Sequence, residues 1–243
     1  MDNTKRICLW SGPRNISTTL MYSFAQRQDT KVVDEPLYAH YLNNTDAKEY
    51  HPGTQDILDT LEKDGNIVLS KMMTNNEKPV FFFKNMTHHL LHINRDFMKE
   101  KNVYNVILTR DPLEMLPSFD KVIKNPSIAD VGYAKHTELL DYLEANNIKP
   151  IVLDSKRVLL NPKKVLTKLC EFVGIPFDEQ MLHWQAGARP EDGSWAKYWY
   201  TSIHKSTGFL EYKPKTETFP EHLKPLLKEC LPHYNKLIKY AIG

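Results

Sequence analysis

The 243-residue chain has only three cysteines, Cys8, Cys170 and Cys230, and they lie far apart. That number and spacing give neither a disulfide framework nor a metal-type cluster, and favour a reducing compartment in which each is a small buried apolar residue. Long apolar runs are missing too. Nothing approaches the roughly 20 apolar residues of a membrane helix, and Met1-Asp2-Asn3-Thr4-Lys5-Arg6 leads straight into an expected strand without the apolar region of a signal peptide. A cytoplasmic protein is the expectation. No Gly/Ser-rich or Pro-rich stretch offers a linker, and no repeat or low-complexity tract divides the chain, so residues 1–243 are read as one domain. A net charge of +2 is too small to imply a nucleic-acid or membrane partner, although local pairs such as Lys121/Lys124 and Lys156/Arg157 suit an anion.

What is present is a composition able to build a sizeable core, 41% hydrophobic and 26% charged. Short β-branched or aromatic runs occur at Arg6–Trp10, Lys31–Asp34, Asn66–Ser70, Val80–Phe83, Val103–Leu108 and Pro150–Leu153, mostly separated by segments of helical periodicity. The alternation predicts an α/β protein: a mostly parallel central sheet flanked by helices, three layers in all. Only a short polar turn joins the third and fourth runs, so one of them is expected at an edge or antiparallel. Helix signals are clearest after Leu108, where Asp111 caps, Pro112 suits the first turn and Glu114 completes a capping box, with Pro117 kinking or restarting the helix. Asn161-Pro162 opens another, with Val165, Leu166, Leu169, Cys170 and Val173 on one face before Gly174. From Glu221 to Ile242, Leu223, Leu227, Cys230, Leu231, Tyr234, Leu237 and Ile238 form a stripe that Pro225 and Pro232 must break or bend.

Two segments suit anions. After the first strand, Ser11-Gly12-Pro13-Arg14-Asn15-Ile16-Ser17-Thr18-Thr19-Leu20 delivers backbone amides, three hydroxyls and the planar fork of Arg14 to a helix N-terminus. The loop lacks the Gly-Lys-Ser/Thr of a Walker A sequence, which weakens an ATPase or GTPase reading. An N-cap at Ser17 beside a surface arginine is the plain alternative. The second segment, Thr109-Arg110-Asp111-Pro112, puts Arg110 just past a strand's C-terminal end, where ligands sit in open α/β sheets, and Ser118 follows on the next element. Its plain alternative is an Arg–Asp surface pair with an ordinary helical serine. Together the segments suit a nucleotide with phosphates at both ends.

Pro13 through Met21 resembles the 5′-phosphosulfate loop of the sulfotransferases that use 3′-phosphoadenosine 5′-phosphosulfate (PAPS), in the arginine-bearing form of the tyrosylprotein type with one extra residue. SGPRNISTTLMYSFAQR followed by VVDEPLYA is similar to a bacterial group whose relatives include domains fused to plant aminotransferase-like proteins, and the resemblance continues through Arg110–Ser118 and the Asn161–Met181 region. It implies a P-loop-like fold, PAPS as co-substrate, its bisphosphate (PAP) as product, and a small-molecule acceptor. Arg14, Asn15, Ser17, Thr18 and Thr19 would hold the 5′-phosphosulfate, and Arg110 with Ser118 the 3′-phosphate. His204-Lys205-Ser206-Thr207-Gly208-Phe209 resembles the family's closing loop, which makes Lys205, Ser206, Thr207 and Gly208 further candidates beside the reading of a plain surface turn. Lys84 resembles the lysine that contacts the transferred group. Glu35 resembles the base of the tyrosylprotein type and His88 that of the cytosolic enzymes, so two bases stay open. No metal is expected, since cationic side chains and amides can stabilise the leaving phosphate; the separation of His88 and His92 lacks a third placed ligand. Trp195, Tyr198, Trp199 and Tyr200, with Tyr38, His40 and Tyr41, suit either an acceptor wall or satellite core packing. Two rivals remain from the residues: an ATP-dependent P-loop phosphotransferase, and a nucleotide-binding module without chemistry.

Overall fold

The computed structural model describes residues 3–243, so Met1 and Asp2 of the expected leader-free start lie outside the described residues. The strands are β1 (Lys5–Ser11), β2 (Thr30–Asp34), β3 (Val80–Met86), β4 (Val103–Thr109), β5 (Ile151–Asp154) and β6 (Ala241–Ile242). They form one sheet in the order β2-β3-β1-β4-β5-β6, and every adjacent pair is parallel. A parallel sheet needs helical crossovers, which cover both faces, so its strands read as nearly continuous apolar runs. In β1, Ile7 and Leu9 enter one core and Cys8 and Trp10 the other.

Between β1 and β3 lie α1 (Ser17–Phe24), α2 (Tyr38–Asn43), α3 (Thr54–Thr60) and α4 (Gly65–Thr74). Between β4 and β5 lie α5 (Pro112–Phe119), α6 (Ile128–Val131) and α7 (Tyr133–Ala145); α8 (Ser155–Leu160), α9 (Pro162–Val173), α10 (Ala196–Trp199) and α11 (Lys224–Leu237) follow. Leu20 and Phe24 of α1, Val158 of α8 and the apolar stripe of α9 pack on the first face. Val68, Leu69 and Met72 of α4 and Leu139, Leu140 and Leu143 of α7 pack on the second. Asn161 caps α9 by accepting from the Lys164 amide at 3.0 Å, and Gly174, at φ 70°, ends it as its pattern predicts.

Four local expectations are corrected. Asn66–Ser70 is helical within α4, because the Asp64 carboxylate accepts from the amides of Asn66 (2.8 Å) and Ile67 (3.3 Å) and nucleates a turn with Val68, Leu69 and Met72 on its buried side. No antiparallel pair therefore enters the sheet at β3. Glu114 does not complete a capping box: it accepts from Arg110 and Tyr212, while Asp111 alone caps α5. Pro117 lies within α5, which continues to Phe119. At the C-terminal end Pro225 sits in the first turn of α11, where its missing amide costs nothing, and Pro232 is accommodated inside that helix. The helix ends at Leu237, and Ala241 and Ile242 return to the sheet beside β5.

Candidate active site

The C-terminal ends of β1, β2, β3 and β4 point to one place, and a cavity of about 230 Å³ lies there. Its first wall is the β1–α1 loop. Arg14 (φ 58°) and Ile16 (φ 63°) both adopt left-handed backbone, a costly choice for β-branched Ile16. Alternation of this kind turns successive amides towards a common point. No side chain caps α1 at Ile16, so the first-turn amides keep their capacity for an outside anion. Asn15, 1% exposed, anchors the loop by donating to the Leu108 carbonyl (3.2 Å), while its own carbonyl accepts from Ser155 (2.8 Å).

The second anion segment meets the first. Arg110 donates to the Arg14 carbonyl at 2.9 Å, and the Arg14 guanidinium donates to Ser118 Oγ at 3.2 Å and to the Trp199 carbonyl at 3.3 Å. Burial, followed by the like charge of Arg110, lowers the pKa of Arg14. Two cations that repel one another across a partly dry space favour an anion between them. Glu114 currently occupies part of the Arg110 fork, at 3.2 and 3.3 Å.

Opposite the loop stands a buried charge cluster. Lys84, 1% exposed, reaches Asp34 Oδ1 at 2.8 Å, Glu35 Oε1 at 2.5 Å and the Tyr200 hydroxyl at 2.6 Å. Tyr200 donates in turn to Asp34 Oδ2 at 2.7 Å. Glu35 has positive φ (41°), and its backbone N–H donates a hydrogen bond to the Lys84 carbonyl at 2.8 Å. Burial raises the Glu35 pKa; Lys84 opposes that shift and Asp34 adds to it. Lys84 is raised despite its burial, because both carboxylates and Tyr200 favour its charge. His88 differs sharply. Burial, helped by His51 and His136, pushes it down to about 3, so it is neutral at ordinary pH.

Arg14, Asn15, Ser17, Thr18 and Thr19 thus line the same cavity as Glu35, Lys84, His88 and Arg110. Ser118 stands behind Arg14 and touches it. The late loop is divided. Ser206 and Gly208 reach the wall, but Ser206 Oγ is already engaged with Trp184 (3.1 Å) and the Ile203 carbonyl (2.7 Å). A Cβ on Gly208 would come within 2.9 Å of the Leu182 carbonyl, so close backbone approach explains this glycine. Lys205 and Thr207 are exposed and do not line the cavity. Asp34, His51 and Asp130 were not singled out from the sequence. Asp34 carried a readable signal, a carboxylate at a parallel strand's C-terminal end; His51 and Asp130 lie in no local motif. Among the described residues, no group of three or more His, Cys, Asp or Glu is placed to hold a metal ion, and no helix is long and apolar enough to cross a membrane.

An all-parallel α/β sheet with such a loop after its first strand defines a P-loop-like protein. A model of the sulfotransferase domain family matches residues 5–241, and the chain belongs to that family. Branched-chain-amino-acid aminotransferase-like proteins 2 and 1 of Arabidopsis thaliana are each 39% identical over 230 residues, which is 94% of this chain and 40% of theirs. The chain therefore spans about two fifths of the length of those relatives. Among solved structures, the sulfotransferase domain from the curacin biosynthetic pathway is similar with a TM-score of 0.55 at 14% identity, covering 99% of both chains. A sulfotransferase from Alicyclobacillus acidocaldarius gives 0.58 at 11% identity, covering 97% of this chain and 94% of that one. The sulfotransferase domain of the Synechococcus PCC 7002 olefin synthase gives 0.51 at 16%, covering 100% and 98%. At such identities these three speak for the fold.

Proposed function

We propose that the domain transfers the sulfuryl group of PAPS to a hydroxyl or amine of a small-molecule acceptor, with Glu35 as the general base. The observation that carries this reading is the meeting of the two anion segments: Arg110 bonds to the Arg14 carbonyl at 2.9 Å and Arg14 to Ser118 at 3.2 Å. One adenylate with phosphate at each end would engage both. The β1–α1 loop with Arg14 would hold the 5′ end, and Arg110 with Ser118 the 3′-phosphate. As the bond from acceptor to sulfur forms, the sulfur–oxygen bond to the 5′-phosphate breaks, and Glu35 takes the acceptor's proton. Lys84 and Arg14 would offset the charge that develops on the leaving phosphate.

Glu35 is preferred to His88 on base strength. A base works best with a pKa near the operating pH; burial moves Glu35 towards that range and moves His88, at about 3, away from it. Calorimetry with adenosine 3′,5′-bisphosphate and with ATP, each with and without EDTA, tests the donor. Bisphosphate should bind equally in EDTA and ATP weakly; loss of the 3′-phosphate without loss of affinity would overturn the reading. In a labelled sulfuryl-transfer assay, Glu35→Gln should lose about 10²–10⁴-fold in turnover while still binding bisphosphate, and His88→Ala should lose much less.

A further inference from the structure

Besides Arg14 and Arg110, the cavity is lined by a carboxylate outside the Lys84 cluster. Asp130, 9% exposed, faces the cavity from the start of α6. Its Oδ2 accepts from the Ser127 amide and hydroxyl, both at 2.7 Å, and its Oδ1 from the Tyr50 hydroxyl at 2.7 Å. Burial alone would raise its pKa, yet the bonds from Ser127 and Tyr50 hold it below the ordinary aspartate value, so it is ionised. A carboxylate can accept about four hydrogen bonds. One acceptor position on Oδ1 is therefore open, and the three bonds come from hydroxyls and an amide rather than from a lysine or arginine.

Tyr50, which donates to this carboxylate, belongs to a chain of ring contacts. His51 lies 5.2 Å from the Tyr50 ring and 6.4 Å from that of Trp199, which stacks on Phe119 at 6.2 Å. His51, His88, Phe119 and Trp199 all line the cavity with Asp130. His51 Nε2, Trp199 Nε1 and Nδ1 of His88, itself only 7% exposed, are buried and have no partner among the described residues. Burial keeps both imidazoles neutral, at about 4 for His51 and about 3 for His88, so neither supplies a counter-charge. An ionised carboxylate that shares a cavity lining with aromatic residues suits an organic cation, which the negative face of a ring attracts.

We infer that this wall is the acceptor subsite and selects a cationic acceptor, one that carries on an aromatic or apolar body a protonated amine as its recognition group, with Asp130, Trp199 and His51 around the ammonium, and a separate hydroxyl or unprotonated amine that takes the sulfuryl group. The word acceptor rests on the sulfuryl-transfer reading; the cation preference rests on the wall itself. An acceptor carrying a carboxylate would meet Asp130 as a like charge and be rejected.

The test titrates the full chain calorimetrically with 2-phenylethylamine, 2-phenylethanol and phenylacetate, which share a ring and differ in charge, with and without adenosine 3′,5′-bisphosphate. The amine should bind at least about tenfold tighter than the alcohol, and phenylacetate weakest. Equal binding of amine and alcohol, or tighter binding of phenylacetate, overturns the inference in wild-type protein alone. Asp130→Asn should bring the amine to the level of the alcohol; a preference that survives it also overturns the inference. Should Asp130→Asn fail to fold, Trp199→Leu replaces it and should weaken the amine more than the alcohol, with equal loss counting against the inference. The two readings separate cleanly. Bisphosphate binding without amine preference sinks only the acceptor class, whereas amine preference without bisphosphate binding sinks the donor and leaves the cation site standing.

Discussion

Lys84 shows how one side chain sets the chemistry of its neighbours. It is buried with two carboxylates, Asp34 and Glu35, so the cluster has an excess of negative charge that water cannot reach. Asp34 also receives Tyr200 and the Gly193 amide (3.3 Å), whereas Glu35 has only Lys84 among its side-chain partners. Burial raises the Glu35 pKa and the Asp34 charge adds to the rise, while Lys84 opposes it. A base must be deprotonated to act, so kcat/KM should rise with pH through a limb above the ordinary glutamate value of about 4.3. A pH–rate profile measures it; a limb at or below that value would mean that burial does not tune this group. Tyr200→Phe removes the hydroxyl shared by Lys84 and Asp34 and leaves both less satisfied. It should lower stability by about 1–3 kcal/mol in urea unfolding.

At the scale of the element, the β1–α1 loop depends on a close approach. A Cβ at Gly12 would sit 2.9 Å from the Val131 carbonyl and 3.2 Å from the Asn15 amide nitrogen, so α6 and the anchor of the loop leave no room for it. Gly12→Ala should cost about 1–3 kcal/mol in urea unfolding and weaken bisphosphate binding by displacing Asn15. Unchanged affinity would show that the amides are positioned independently of Gly12. The same contact explains how far sequence reading reached. Runs such as Ile7-Cys8-Leu9-Trp10, apolar on both faces, announce buried parallel strands, and the phosphate-loop residues are contiguous, so both are legible locally. Asn66-Ile67-Val68-Leu69-Ser70 has the same β-branched look but obeys the Asp64 cap, and a run this short does not separate strand from helix by period alone. Ala241–Ile242 pairs only because β5 offers an open edge. Asp130 and His51 reach the cavity by tertiary packing, across more than 75 residues of chain, and no spacing marks them.

Over the whole molecule the cavity carries both signs of charge, with Arg14, Arg110, Asp130 and Glu35 among its lining residues, while the buried histidines in and near it are kept neutral. Burial pushes His51 to about 4, His88 to about 3 and His136 to about 4, and it holds His89 well below the ordinary imidazole value. In the unfolded chain each would take up a proton near pH 6.5. Between that pH and the depressed folded values the unfolded state binds more protons, so stability must fall as pH falls, by about 1.4 kcal/mol per pH unit for each histidine. Glu35 and Asp154, both raised by burial, act in the other direction: their contribution is complete below the unfolded carboxylate pKa and is lost as pH rises through their folded values. They offset part of the histidine slope, but four histidines outweigh two carboxylates. The urea midpoint should therefore drop between pH 7 and pH 5 at constant m-value, and His136→Leu should make that drop shallower. A midpoint that stays level over this range, or a slope that His136→Leu leaves untouched, would mean that these imidazoles are solvated in the folded protein.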